Sequence, residues 1–304
     1  MDRDRQHHIF WNAGVKKEKR RELNLEKRVH TDEVWLEIEP FLSPGMKVLD
    51  AGGGYGRYAL LIAKKGCQVT LLDISAAMLR EAKKLAHQEN LHTITFCEGK
   101  VQNLSQFADQ SFDMVLCLDA PISYAYPDHL QAVKELCRVS REKLFLSVVN
   151  RLGQLPIALE LETKWGNSIK NSRSFLENGN WDHPAVFQRI EEKIPFLNRF
   201  IFPPLHAFLP EEIIDILIKE NYQPHRVVAS GSLVRLLSPF TLRKICKNQE
   251  TYRHFLNLCR EYDSQIEVLG VGARSASGLF IIAERNHHGT NLEKTDPPIE
   301  KGRG

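Results

Sequence analysis

Apolar and polar positions follow two alternating rhythms between residues 46 and 150. Short apolar runs are typical of buried strands, and apolar positions three or four residues apart are typical of helices. The pattern predicts strands over 46–51, 67–72, 93–97, 112–118 and 143–149. It predicts helices over 57–65, from a Ser75 cap to about residue 87, and over 128–139. Strands that alternate with helices indicate a mostly parallel sheet with helices on both faces.

The flanking segments follow other patterns. Residues 151–205 are rich in aromatic side chains and break the rhythm, so we interpret them as a helical insertion that covers the ligand edge of the sheet as a substrate lid. After them come predicted helices at 210–220, 239–246 and 249–262 and predicted strands at 222–230 and 277–284. The fold class predicted is α/β, a Rossmann-like, doubly wound, mostly parallel sheet of seven strands.

The same patterns predict five consecutive parts of the chain. They are an N-terminal helical segment (1–42) with a helix capped by Thr31, the first part of the core (43–150), the insertion (151–205), the rest of the core sheet (206–286) and a polar tail expected to be disordered (287–304).

Charge and composition narrow the classes of partner. The 41 basic and 38 acidic side chains leave a net charge of +3, which disfavours a nucleic-acid partner. The six cysteines form no C-x-x-C pair, so we expect reduced thiols and no metal site. No stretch approaches the ~18 apolar residues of a membrane span, and the first residues contain no apolar stretch long enough for a signal peptide. A cytoplasmic location is therefore expected.

A glycine-rich loop is the most informative feature of the chain. Residues 48–57 read VLDAGGGYGR, with glycines at 52, 53, 54 and 56 between a strand and a helix. Such a loop lets a ligand approach bare backbone and the free N–H groups of the helix. Read from Gly52 it is the G-x-G-x-G of enzymes that bind S-adenosylmethionine (SAM), whereas the nicotinamide pattern G-x-G-x-x-G fails at Ala51.

Two carboxylates accompany this loop. Asp50 suits a cationic ligand, such as the amine of the methionine part of SAM, and would repel a pyrophosphate. Asp73 ends the next strand and is placed to accept hydrogen bonds from both ribose hydroxyls. Both SAM and NAD have that ribose, so Asp73 does not distinguish between them.

Four motifs in order carry a family resemblance: VLDAGGGYGRYA, LLDIS with Met78, CEGKVQNL and SFDMVLCLD. Together they resemble the successive motifs of class I SAM-dependent methyltransferases, and most of all the small-molecule, quinone-biosynthesis type. The resemblance covers residues 45–150 and implies SAM as the cofactor and a small-molecule methyl acceptor as the partner.

The resemblance also implies roles for individual residues. Gly52, Gly54 and Gly56 would line the methionine and ribose, and Asp50 would meet the amine directly or through water. Asp73 would bind the ribose. The adenine and the methionine would be contacted by Ile74, Met78, Val101, Gln102 and Leu118. The family often has an acid where this chain has Lys100, which cannot accept a hydrogen bond from the adenine amine.

Methyl transfer from SAM needs alignment more than a catalytic side chain, and a base is needed only if the acceptor must lose a proton. Asp119 and Tyr124, which follow the fourth strand, are the local candidates for such a role. His206, after the insertion, is a third candidate. Asn150 and Arg151 are candidates for binding an anionic group of the acceptor.

Three functions remain open at this stage. The first is methyl transfer to an O, N or C atom of a small molecule. The second is an RNA or protein methyltransferase that docks through the basic stretch 16–28, against which the balanced charge argues. The third is a SAM-binding module without activity, or an NAD-dependent dehydrogenase.

Overall fold

A seven-stranded sheet forms the centre of the molecule. The computed structural model describes residues 3–21, 23–165, 169–181, 203–229, 231–269, 276 and 278–287. The strands in it are β1 (Lys47–Ala51), β2 (Gln68–Asp73), β3 (Ile94–Glu98), β4 (Phe112–Cys117), β5 (Ser140–Val149), β6 (Asn180–Trp181), β7 (Leu205–His206), β8 (Tyr222–Ala229) and β9 (Gly278–Arg285).

The sheet order is β3-β2-β1-β4-β5-β9-β8, and β9 runs antiparallel to both of its neighbours. β1 lies between β2 and β4 with parallel pairing on both sides. The chain order reverses beside β1, which makes the carboxyl ends of β1 and β4 the place where this class of sheet binds ligands. The predicted fold class is confirmed.

Helices cover both faces of this sheet. They are α1 (Arg3–Arg21), α2 (Leu25–Ile38), α3 (Arg57–Lys64), α4 (Ala76–Gln88), α5 (Pro121–Tyr124), α6 (His129–Val139), α7 (Arg151–Trp165), α8 (Lys170–Asn178), α9 (Pro210–Lys219), α10 (Ser232–Arg235), α11 (Pro239–Cys246) and α12 (Gln249–Leu269). The core on one face contains α6 and α9, and the core on the other contains α2, α3 and α4. No helix in the described ranges is long and apolar enough to cross a membrane.

Helix caps explain two boundaries. Ser75 caps α4 as predicted, because its Oγ accepts from the Met78 N–H at 3.1 Å. The predicted Thr31 cap is wrong. Asn24 caps α2 by accepting from the N–H groups of Glu26 and Lys27, and Thr31 lies inside the helix, where its hydroxyl donates to the Lys27 carbonyl.

The described part of the insertion packs on the end of the sheet. Phe175 and Trp181 meet edge to face, with ring centroids 5.9 Å apart, in a small apolar cluster that also contains Ala120 and Val149. Two short strands, β6 and β7, pair antiparallel within it, which the sequence pattern does not predict. Residues 182–202, which carry several of its aromatic residues, and the tail 288–304 lie outside the described residues.

Candidate active site

A cavity of about 420 Å³ opens at the carboxyl ends of β1, β2 and β4. The glycine loop forms its floor, and residues 99–102 and 118–128 form its walls. The size is within the ~300–1,000 Å³ of typical small-molecule sites. Of the predicted cofactor residues, Asp50, Gly52, Gly54, Asp73, Ile74, Met78, Val101, Gln102 and Leu118 all line this cavity, as do Asp119 and Tyr124.

Each glycine of the loop meets a different structural requirement. Gly52 has φ +74°, and a Cβ there would lie 2.4 Å from the Pro121 Cγ. Gly54 has φ +58°, and a Cβ there would have no heavy atom within 4 Å, so it would project into open space on the cavity wall. Gly56 is the N-cap of α3 and packs against Leu71 and Ala82. The structure therefore places Gly56 behind the cavity wall, where it supports the loop.

Asp50 is a buried carboxylate that forms no ion pair with any described residue. Its side chain lines the cavity, the residue is 1% exposed, and neither oxygen has a well-formed hydrogen bond within the described residues. Burial raises its pKa to about 7, and the Ala59 N–H offsets only part of that effect. Gly53, which the sequence reasoning left unassigned, gives it room, because a Cβ there would lie 2.4 Å from the Asp50 Oδ2. A cationic ligand group would satisfy this carboxylate.

Asp73 joins the loop to the second strand. Its Oδ2 accepts from the Gly54 N–H and its Oδ1 from the Ser75 N–H, each at 2.8 Å. Burial raises the pKa of Asp73 to about 6, against the lowering effect of these two bonds. Each carboxylate oxygen keeps a second lone pair, so the pair of oxygens still has room for two hydroxyl donors from the cavity.

Helix α1 forms the roof of the cavity, a role that the sequence pattern did not predict. The side chains of His7, Trp11, Glu18 and Arg21 line it, and this spacing puts them on one face of the helix. Asn12 fixes the roof, because its Oδ1 accepts from the Ser75 hydroxyl at 2.7 Å and from the Ala77 N–H at 3.1 Å.

Asp119 is held by two arginines. Its Oδ2 lies 3.1 Å from the Arg57 Nη1, and its Oδ1 lies 3.7 Å from the Arg21 Nη2. Burial alone would raise the pKa of Asp119, but Arg57 and Arg21 outweigh it and lower the pKa. Asp119 and Ala120 both have positive φ, at +61° and +68°. A strained, well-paired carboxylate of low pKa is suited to positioning its neighbours and is a weak base.

Tyr124 faces the cavity under the roof helix. Its ring meets Trp11 edge to face, with centroids 5.4 Å apart. Burial raises the pKa of the Tyr124 hydroxyl, which therefore stays protonated. Trp11 and Tyr124 together make this side of the cavity aromatic.

His206 does not reach the cavity. Its Nδ1 is 2.7 Å from the Asn180 Oδ1 and its Nε2 is 3.0 Å from the Glu212 Oε1, and its ring stacks on His129. Both ring nitrogens are thus engaged in joining β7 to β6 and α9. His206 acts in this structure as a buried packing residue, and we do not assign it a role as a base.

The two residues after β5 are also engaged elsewhere. Asn150 donates to the Ala276 carbonyl at 2.7 Å, and Arg151 pairs with Glu212 at 2.6 Å. Neither is part of the cavity wall, so the structure does not support their predicted role in binding an anionic acceptor.

Comparison with known proteins gives the family of this site. Residues 48–143 match the family model described as a methyltransferase domain. The match begins in β1, includes the glycine loop, Asp50 and Asp73, and ends in β5. Residues 48–143 thus form a methyltransferase domain.

Several curated proteins resemble this methyltransferase domain. The chain is 33% identical over 150 residues to the uncharacterized methyltransferase YbaJ of Bacillus subtilis, which is 48% of this chain and 57% of that protein. It is 29% identical over 141 residues to a magnesium-protoporphyrin O-methyltransferase of Synechocystis, with 46% and 60% covered. It is 29% identical over 119 residues to a ubiquinone biosynthesis O-methyltransferase of Acinetobacter baumannii, with 38% and 49% covered. The chain thus spans about half the length of the curated relatives it matches.

Solved structures share the fold over more of the chain. The magnesium protoporphyrin IX methyltransferase of Synechocystis, solved with bound SAM, has a TM-score of 0.53 at 17% identity and covers 94% of this chain and 98% of that one. A methyltransferase structure from Listeria monocytogenes has a TM-score of 0.53 at 16% identity, with 84% and 98% covered. Because the sequence identities are this low, the similarity to these two structures establishes the fold alone.

Proposed function

We propose that this chain binds SAM in the cavity and transfers its methyl group to an O, N or C atom of a small molecule. The observation that carries the proposal is the buried carboxylate of Asp50 at the glycine loop, which forms no ion pair with any described residue. SAM brings an ammonium and a sulfonium, whereas NAD would bring a pyrophosphate that this carboxylate repels.

The residues of the cavity fit such a cofactor. Asp50 would hold the ammonium, Asp73 the ribose hydroxyls, and the backbone between Gly52 and Gly54 the methionine part. The adenine would lie between Ile74 and Met78 on one side and Val101 and Gln102 on the other. When bound, SAM supplies the reactive methyl sulfonium, and the protein supplies alignment and exclusion of water.

The acceptor has a distinct side of the cavity. Trp11 and Tyr124 offer flat apolar surface to an acceptor. Asp119 fixes Arg57 and Arg21 beside it and acts as a positioning residue. Two of the relatives are named as O-methyltransferases of small molecules, which supports the small-molecule class for this chain.

An S-adenosylhomocysteine (SAH) release assay tests this proposal. The purified chain with SAM is incubated with panels of phenols, carboxylic acids and amines, and with RNA and protein pools in parallel. We expect acceptor-dependent SAH release from a small-molecule panel. Tyr124→Ala, which removes a ring from the cavity, should reduce it, and Tyr252→Phe, which removes a hydroxyl bonded to Asp32 outside the cavity, should leave it unchanged. Release that depends only on RNA or protein would contradict the small-molecule proposal.

A further inference from the structure

The three most exposed large apolar side chains in the described ranges are Leu23, Leu236 and Phe240, at 82%, 71% and 70% exposure. We call them the apolar patch. Single exposed leucines are ordinary, but a group of them with aromatic company marks a contact surface. Leu23 lies between α1 and α2, Leu236 between α10 and α11, and Phe240 in the first turn of α11.

The packing beneath the patch holds these two connections together. Leu25, two residues after Leu23, packs in a cluster with Val234 and Leu242. The Arg235 Nε lies 3.7 Å from the Glu26 Oε1, which ties the residue before Leu236 to the first turn of α2. The patch is also close to the cavity along the chain, because Arg21 of its wall is two residues from Leu23.

Basic side chains outnumber acidic ones around the patch, where Glu26 pairs with Arg235. Residues 232–249 contain no acidic side chain and four basic ones. These are Arg235, Arg243, Lys244 and Lys247, all exposed, and Arg20 is exposed in the last turn of α1. We call these five basic residues the basic ring. Exposed Leu and Phe side chains accompanied by Lys and Arg are the composition of surfaces that lie on anionic membranes.

We propose that the apolar patch and its basic ring dock this protein on an anionic lipid bilayer. A second copy is a poorer fit, because a symmetric contact would oppose two basic faces. A polyanion such as RNA would engage the ring but leave the two leucines in water. The inference is independent of the proposed methyl transfer and places the cavity wall at Arg21 beside the membrane.

Vesicle binding tests the proposal directly. Co-sedimentation is measured with phosphatidylcholine vesicles alone and with vesicles containing about 30 mol% phosphatidylglycerol. We expect binding to the anionic vesicles that weakens with salt. Binding to the anionic vesicles should fall about tenfold or more in each of two triple variants. The first combines Leu23→Ser, Leu236→Ser and Phe240→Ser. The second combines Arg243→Gln, Lys244→Gln and Lys247→Gln.

Matched controls separate the patch from general surface effects. Leu130→Ser, Ile169→Ser and Leu258→Ser remove exposed apolar groups elsewhere, and Lys84→Gln, Lys134→Gln and Lys219→Gln remove exposed charges elsewhere. These should bind vesicles like the wild type, and melting curves and SAH titrations report whether every variant is folded.

Three results would overturn the proposal. One is no binding to anionic vesicles above the phosphatidylcholine background at low salt. The second is equal loss in patch and control variants. The third is tighter binding to single-stranded RNA than to anionic vesicles at the same salt. If the wild type does not bind SAH, the proposed function is refuted, whereas the vesicle result still tests the membrane proposal.

Discussion

At the scale of single residues, three aspartates at the strand ends have three different environments. Asp50 is buried with no ion-pair partner in the described part of the chain, Asp73 is buried with two backbone donors, and Asp119 is half-buried beside two arginines. The pKa is therefore raised most at Asp50, raised less at Asp73 and lowered at Asp119. We infer that the first two await ligand groups and that the third is satisfied by the protein itself.

Asp50→Asn should stabilise the protein without ligand while abolishing SAM binding. The folded pKa of about 7 lies above the unfolded value of about 3.9, so the contribution of Asp50 to stability is largest below pH 4 and is lost as pH rises through 7. The asparagine does not ionise, so by pH 8 the variant should have a higher melting temperature than the wild type. The difference should be about 2–4 °C for each kcal/mol of stability gained. A melting difference that is the same at pH 4 and pH 8 would show that the charge is not its cause.

Gly54→Ala should impair SAM binding without unfolding the protein. Gly45→Ala is its matched control, because both glycines have positive φ, at +58° and +85°, and neither would place a Cβ within 4 Å of another atom. Each should cost about 1–2 kcal/mol of stability through backbone strain. Only Gly54 lines the cavity, so calorimetry should show weaker SAM binding for that variant alone, and equal affinities would contradict the placement of SAM on the loop.

At the scale of elements, α1 closes the cavity although it lies outside the region that matches the methyltransferase family. The asparagine at position 12 fixes it to the start of α4. The roof thus depends on a few polar bonds, which suits an element that must open for exchange of ligands.

Asn12→Ala should speed the release of SAH by severalfold. The substitution removes two hydrogen bonds of about 1 kcal/mol each, so the roof should open more often. Stopped-flow displacement measures the rate, with Lys16→Ala, an exposed residue of the same helix, as the control. An unchanged release rate for Asn12→Ala would mean that α1 does not gate the cavity.

The central elements could be predicted from the sequence because apolar periodicity is a local property. The predicted ends of the strands between residues 46 and 149 differ from the observed ends by three residues at most. The roof could not. Its cavity-facing residues, His7, Trp11, Glu18 and Arg21, are mostly polar, so their common spacing leaves no amphipathic pattern. His206 was misjudged for a related reason, because its partners Asn180 and Glu212 are set by tertiary packing.

At the scale of the whole molecule, buried acids shape the dependence of stability on pH. Burial raises the pKa of Glu33 in α2 to about 8 and that of Asp263 in α12 to about 6. Because ionisation of Glu33, Asp263 and Asp50 is unfavourable in the folded protein, its stability falls as the pH rises through these pKa values. The pKa values of Asp119 and Glu212 are lowered, so protonation of these two groups reduces the stability of the folded protein as the pH falls below about 4.

The melting temperature should therefore be highest at about pH 5–6 and decline toward pH 8.5. Glu33→Gln should flatten the alkaline part of this profile, since the buried group no longer ionises. Differential scanning calorimetry across this range checks both statements. A profile that rises toward pH 8.5 would contradict the burial of these carboxylates.

The most direct test of the central claim is a calorimetric titration of the purified chain with SAM, SAH and NAD. Asp73→Asn and the exposed control Asp215→Asn are titrated beside the wild type. We predict micromolar binding of SAM and SAH, no binding of NAD, a loss of at least about tenfold for Asp73→Asn as its charge-assisted bonds weaken, and no change for Asp215→Asn. Binding of NAD without SAM would contradict the assignment of the glycine loop and the account built on it.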